Sequence, residues 1–272
     1  MALKEGVYMN LSNAEYHADP ALGSTSIKRL LESPLQYWYN SPFNTNKESI
    51  KESAAMKVGT AVHTAILEPE KFKEEYSINR KVKSSTKSGI LGREQFLTVK
   101  RIRDLIRRSE FSQFFTDGVA EASVIWKDEE TGISCKARFD YLLKANIIID
   151  LKTIGLETLS YKELINEIFS HKRKYYVQAA VYIEALRNLK KIKGIKSGSE
   201  EFFFFFVTKT EPLDFQLVKI EQDIIDLGID EFRKALSIYK NSFEEYGPKE
   251  WRPSKEVESL TLSDAPAWFN YY

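Results

Sequence analysis

The strongest constraint on this chain is charge placed inside strand patterns. Residues 136–153 read KARFDYLLKANIIIDLKT. Alternation sets Cys135, Ala137 and Phe139 on one side of an extended segment, and Lys136, Arg138 and Asp140 on the other. Asp150 ends the apolar run Ile147, Ile148, Ile149, and Lys152 follows two places later, so in a strand both side chains leave the same face. A turn near Lys144, Ala145 and Asn146 folds the two strands together and brings Asp140 towards Asp150. Buried acids are costly unless they are paired or hold a metal. Two acids and a lysine here point to a cation cage, with a general base or a phosphate-neutralising ammonium beside it. An isolated Asp-x-Lys is commoner as a turn former with a rim ion pair, so its company matters.

The company starts upstream. Ser12 and Glu15 have capping-box spacing for a short helix. Ser24 or Thr25 opens SIKRLLES, which Pro34 stops, and Tyr37, Trp38 and Tyr39 after it are read as core. The segment from Ala54 to Leu67 is a helix ended by Glu68 and Pro69, with Gly59 and His63 one turn apart on one face. Gly59 lets another backbone approach, and His63 looks across that gap. Residues 80–92 form a polar, basic, mobile loop. Helical spacing resumes through Phe96, Val99, Ile102 and Ile106. From Glu121 the period becomes two, through EASVIWKD, a turn at Glu129–Gly132, ISCKARFDYLL and NIIIDLKT, a three-stranded meander. Two helical segments follow, LETLSYKELINEIF and KRKYYVQAAVYIEALRNLKK; in the second, Gln178 interrupts an apolar stripe through Tyr175, Ala179, Tyr182 and Leu186, and a buried Gln needs partners. Residues 201–208 and 215–220 are strands, 222–243 a helix, and the tail is irregular and aromatic. Helices around a mixed sheet make an α/β fold.

Composition narrows the function. With 272 residues, 43% hydrophobic, a substantial core is available, which excludes disorder as the overall class. The single cysteine, Cys135, excludes an internal disulfide and a four-cysteine cluster. The N-terminal MALKEGVYMN has no apolar targeting segment, and the longest apolar run, Phe202 to Val207, is too short to cross a bilayer. A soluble, cytoplasmic protein with no membrane partner is expected. A net charge of +1 hides an asymmetry: residues 80–108 carry ten Lys/Arg against two acids, whereas residues 221–272 carry six basic and eleven acidic residues. Such polarity suits a polyanion on one side.

In order, the signals are Gly59-x-x-x-His63, Glu121, Asp140, Asp150-x-Lys152 and Gln178-x-x-x-Tyr182. As a set they resemble the RecB-type branch of the PD-(D/E)XK nuclease superfamily. GVYMNLSNAEYHADPALGSTSIKRLLESP, VGTAVHTAILEPEKF and SVIWKDEETGISCKARFDYL further resemble phage recombination exonucleases of the RecE (exonuclease VIII) type. The likeness runs from about Gly6 to Leu186, with a weaker echo at Pro266-Ala267-Trp268.

The resemblance implies a restriction-endonuclease-like core, a mixed β-sheet flanked by helices, in a single nuclease domain over residues 1–272. Within it, residues 1–53 are an N-terminal helical elaboration, 54–220 the catalytic core and 221–272 a C-terminal helix and tail. It implies that Asp140, Asp150, the Leu151 carbonyl and His63 hold one or two Mg²⁺ ions, with Mn²⁺ as a substitute. Lys152 would orient or deprotonate the attacking water, or neutralise the scissile phosphate. Gln178 and Tyr182 would position Lys152 and the bound strand, and Glu121 and Asp128 would support the ligands from outside. Arg138, Ser26 and Lys28 are weaker DNA- or phosphate-binding candidates. The implied reaction is hydrolysis of the 5′-ended strands of linear double-stranded DNA, leaving 3′ single-stranded tails for a RecT-type annealing protein, by a ring-shaped homo-oligomer in a bacterial or phage-infected cell. The alternatives are another nuclease of the same core, for repair or CRISPR adaptation, and a non-catalytic DNA-binding scaffold.

Overall fold

The computed structural model describes residues 2–47, 53–78, 90–144 and 146–253. Most of the basic loop expected at 80–92, and the tail beyond residue 253 with Pro266, Ala267 and Trp268, lie outside the described residues. Strand β1 (Gly6–Tyr8) is followed by helices α1 (Asn13–Ala18), α2 (Ser24–Glu32), α3 (Pro34–Asn40), α4 (Ala54–Leu67) and α5 (Pro69–Glu75). The short parallel pair β2 (Ser77–Ile78) and β3 (Ile90–Leu91) leads to α6 (Arg93–Arg108) and a 3₁₀ turn, Glu110–Phe115. Then come β4 (Gly118–Lys127), β5 (Ser134–Leu143), β6 (Ile147–Ile154), α7 (Tyr161–Phe169), α8 (Tyr175–Lys193), β7 (Glu201–Thr208), β8 (Phe215–Ile220) and α9 (Gln222–Tyr246).

The sheet order is β1-β4-β5-β6-β7-β8. The expected meander forms as β4, β5 and β6, antiparallel throughout. Strand β7 lies parallel to β6, and α7 and α8 supply the crossover that parallel neighbours require. Helices cover both faces. On one, Val124, Trp126, Phe139, Phe204 and Phe206 pack with α2, α8 and α9; on the other, Tyr141, Leu151 and Phe205 pack with α4 and α6. The run at 202–206 is apolar without alternation because β7 is buried on both sides. Helices α8 and α9 cross closely at Gly228, where a Cβ would come within 2.6 Å of both the Ala180 Cβ and the Tyr176 carbonyl oxygen.

Local chemistry decides several boundaries. Ser12 accepts from the Glu15 N–H while Glu15 returns to the Ser12 N–H, the capping box expected. Pro34 ends α2 but also begins α3 at its first turn, where a missing N–H costs nothing, and Pro69 does the same for α5. Of the three aromatics on α3, Tyr37 is buried and Trp38 donates its indole N–H to the Pro248 carbonyl, but Tyr39 is 55% exposed and does not belong to the core. The segment before α7 is not helical until Ser160 caps it.

Candidate active site

The sheet is irregular at the level of Asp140. Strands β5 and β6 pair only through Tyr141–Leu143 and Ile147–Ile149. Continuing that register would set Asp140 opposite Asp150; instead the ladder stops and Asp140 Oδ2 accepts the Leu151 N–H at 2.8 Å. Phe139 packs on the α8 side and Tyr141 on the α4 side, so the alternation slips at the residue between them. On the neighbouring strand Glu121 takes a left-handed backbone with φ 57°, an expensive conformation for a residue with a β-carbon. The splay lets groups from both faces of the sheet meet.

From the α4 side comes His63, its Nδ1 3.4 Å from Asp140 Oδ2 and its ring in hydrogen-bonding contact with the Leu151 backbone. Gly59, one turn before it, lies against β6: a Cβ there would be 3.0 Å from Thr153 Oγ1, so a side chain rather than the expected backbone sets the closest approach. From the α8 side, Gln178 donates to Asp150 Oδ1 at 2.8 Å, and Lys152 Nζ closes on Asp150 Oδ2. The interrupting glutamine of the α8 stripe therefore has its partner. Asp150 is 1% exposed.

Burial, with the charge of Asp140 adding to it and Lys152 opposing, pushes Asp150 up to about 6. Burial also raises Asp140. It pulls His63 down to about 4, with Lys152 acting in the same direction, so the imidazole is neutral at pH 7 and available as a donor. Burial works against the Lys152 charge, but Asp150 and Asp140 outweigh it and raise the amine, so Lys152 is an ammonium rather than a base. Glu121 is carried up to about 7 by burial and by Asp140, with Arg138 opposing from 3.6 Å.

The described residues contain no group of three His, Cys, Asp or Glu side chains closed around a metal position. Asp140 is turned onto a backbone amide, and Asp150 onto Lys152 and Gln178. The donor set nevertheless fits a hard divalent ion: a buried and a half-buried acid, both held above their ordinary range, a neutral imidazole and a nearby backbone carbonyl. Mg²⁺ keeps several waters and needs only one or two carboxylates.

Not every expected residue comes together. Asp128 lies at the far end of β4, in the hairpin turn, where Oδ1 accepts from the Thr131 N–H and hydroxyl and Oδ2 pairs with Arg233; it holds a turn rather than supporting the site. Arg138 lines the groove beside His63, but its donors go to Ser123, Asn13 and the Leu11 carbonyl, and Tyr16 stacks on it. It anchors the chain before α1 to the sheet and has little left for a phosphate. Gln178 touches Asp150 and reaches Lys152 only through it. Tyr182 is buried between Phe139 and Phe202 and bonds to Gln178, so it braces the glutamine. Lys28 of α2 does reach the site, its Nζ 5.6 Å from the Tyr175 ring; Ser26, half-buried on the same helix, makes no hydrogen bond among the described residues. Tyr175 is inconspicuous in the sequence because it sits in the apolar stripe of α8. The signal that could have exposed it is the basic triplet just before α8.

Beside His63 a groove of about 880 Å³ opens along the sheet end, lined by Asn13, Thr60, Glu68, Lys71, Glu75 and Glu121 among others.

The strand order, the two-sided helical cover and the acid, acid-x-lysine cluster at a strand divergence define a restriction-endonuclease-like α/β domain. The chain belongs to the family described as the PDDEXK-like domain of unknown function (DUF3799), whose pattern matches residues 23–249. A candidate exonuclease from Eubacterium rectale shares the fold, with a TM-score of 0.60 at 17% identity over 86% of this chain and 88% of that chain. A phage-related exonuclease from Haemophilus somnus 129PT aligns over 83% of this chain and 96% of that chain at 13% identity, but its TM-score of 0.38 is too low to bear on the fold. Among curated proteins, none matches this sequence significantly.

Proposed function

We propose that this protein is a divalent-metal-dependent DNA exonuclease that hydrolyses the 5′-ended strands of linear duplex and leaves 3′ single-stranded tails. The observation that carries the reading is the buried Asp150–Lys152–Gln178 cluster meeting Asp140 and His63 where two strands part. A structural ion pair has no need of a second, half-buried acid and a neutral imidazole. Asp140, Asp150, His63 and the Leu151 carbonyl would hold Mg²⁺ or Mn²⁺, which when bound offsets negative charge on the attacking and leaving oxygens. Lys152 contributes a fixed ammonium to the scissile phosphate, and its raised pKa favours that role over proton abstraction. Gln178 fixes the Asp150 carboxylate and Tyr182 fixes Gln178, so the lysine is aimed through two supporting contacts.

The linear-end specificity, the 5′ polarity, the hand-over to a RecT-type annealing protein and a ring-shaped oligomer are part of the same proposal and rest on the sequence resemblance. The test is linear duplex labelled at either end, beside covalently closed plasmid, incubated with Mg²⁺ or EDTA. Mg²⁺-dependent release of mononucleotides from 5′ ends, with the plasmid intact, is expected. Nicking of the plasmid would favour an endonuclease of the same core. Binding without cleavage in every metal tested would overturn the enzyme reading.

A further inference from the structure

Three cations converge on one aromatic ring beside the site. Tyr175, the first residue of α8, has Lys152 Nζ at 5.0 Å from its ring centroid, Lys28 Nζ at 5.6 Å and Arg173 Cζ at 5.8 Å. Lys152 has Asp150 as its partner. Arg173 is held by Glu167 through Nε and donates from Nη1 to Tyr175 Oη at 3.2 Å, which orients the guanidinium and leaves Nη2 without a partner among the described residues. Lys28 makes no ion pair or hydrogen bond among the described residues. Burial, and the neighbouring Lys152, pull its amine down to about 8. Lys209 at the end of β7 is also depressed, by burial and by Arg173.

The chain concentrates this charge where helix electrostatics disfavour it. Lys172, Arg173 and Lys174 immediately precede α8, whose first turn has no acid and whose N-cap, Lys174, is left-handed with φ 43° and offers no side-chain cap. Cations at a helix N-terminus oppose the macrodipole, and an anion placed there relieves both. Local rules broken together at one point mark a functional position. The groove on the other side of the site, by contrast, sets Glu68, Glu75 and Glu121 against Lys71 and Arg138, and Lys71 is paired with Glu68 and Arg138 faces Glu121. A phosphate chain is drawn to the first side, where the cations are in excess, rather than to the second, where they are outnumbered and paired.

We infer that Lys28 and Arg173, meeting over Tyr175 beside Lys152, form a second phosphate position that grips the phosphodiester next to the one being cut, so that the strand enters from the α2–α8 side and not through the acidic groove. The inference rests on the nuclease reading and deepens it. Lys28 and Arg173 are positioning residues: they hold the strand in register while Lys152 meets the scissile phosphate.

The experiment compares the full chain with Lys28→Gln, Arg173→Gln and the double variant on short duplexes with 5′-phosphate or 5′-hydroxyl ends. Binding is read by anisotropy in EDTA across a salt series, and cleavage kinetics in Mg²⁺. Loss of one charge-assisted phosphate contact should raise Kd and KM roughly tenfold per variant, with kcat within about twofold. The log–log salt slope should fall by about one for each contact removed. Lys28→Arg should restore most of the binding, which a purely structural role for the amine would not require. Effects confined to phosphorylated ends would overturn the diester assignment. If the wild type cuts DNA while both variants keep its KM and salt slope, the inference fails and the nuclease reading stands. If the wild type neither binds nor cuts duplex, both fail.

Discussion

Replacing Lys152 with methionine removes an ammonium while keeping most of the side-chain volume, and its consequences follow from the surroundings of Asp150. That carboxylate is 1% exposed and has two partners, Lys152 at Oδ2 and Gln178 at Oδ1. Taking away one member of a buried pair costs about 3–5 kcal/mol, because the other charge is left uncompensated. The carboxyl can escape part of that cost by taking a proton. Burial already pushes it up to about 6 with Lys152 present, and without the lysine it moves higher. Its ordinary value in an unfolded chain is about 4. The folded variant therefore binds a proton that the unfolded chain has lost, and its stability falls as pH rises from the unfolded value through the raised folded value. The penalty relative to wild type should be about 3 kcal/mol or more at pH 8 and well under half of that at pH 5. Urea unfolding in EDTA at the two pH values measures it. Adding Asp150→Asn should recover much of the loss at pH 8, since no buried charge is then stranded. Cleavage in Mg²⁺ should fall by at least about 100-fold in Lys152→Met, as for loss of a preorganised electrostatic group. Equal destabilisation at both pH values, or cleavage at the wild-type rate, would refute the reasoning.

Gln178→Leu strands Asp150 Oδ1 and should cost about 1–3 kcal/mol of stability; kcat should drop more than KM rises, measured on the same duplex, because the glutamine acts through Asp150. Gly59→Val puts a side chain where a Cβ already lies 3.0 Å from Thr153 Oγ1. It should push α4 and His63 away from β6 and raise the Mg²⁺ concentration needed for half-maximal cleavage, and Thr153→Ala in the same chain should lower it part of the way back, as read by metal titration of cleavage. Asp128→Ala should leave cleavage unchanged while lowering stability at pH 7 by about 1–2 kcal/mol. Burial tends to raise Asp128, but its bonds to Thr131 and Arg233 hold it below the ordinary aspartate range, so its contribution is present above about pH 4 and lost as pH falls through the folded value. Thermal melts at pH 7 and pH 3 should show the difference between the two chains shrinking in acid.

Much of this arrangement is legible in the residues because the relevant rules are short-ranged. Alternation over 121–153 predicts a three-stranded meander, and the spacing of Asp150 and Lys152 predicts a shared face, which their ion pair bears out. Gln178 in an apolar helical stripe predicts a buried amide in need of a partner, and Asp150 is that partner. Asp128 misled because an acid near the end of a strand reads alike whether it caps a turn or supports a site; only the hairpin and Arg233 distinguish them. Arg138 misled because strand parity places a side chain on a face without revealing which acceptors await it there.

What the amino-acid order determined by itself, then, is the set of elements and the face on which each polar group leaves its own element, since periods of 2 and 3.6 are properties of the local backbone. What only the tertiary structure decided is the parting of β5 from β6 at Asp140, the left-handed turn of Glu121 beside it, and the meeting of Lys28, Lys152 and Arg173 around Tyr175. These bring together groups far apart in the chain, and their positions are set by how helices from opposite faces pack onto one twisted sheet.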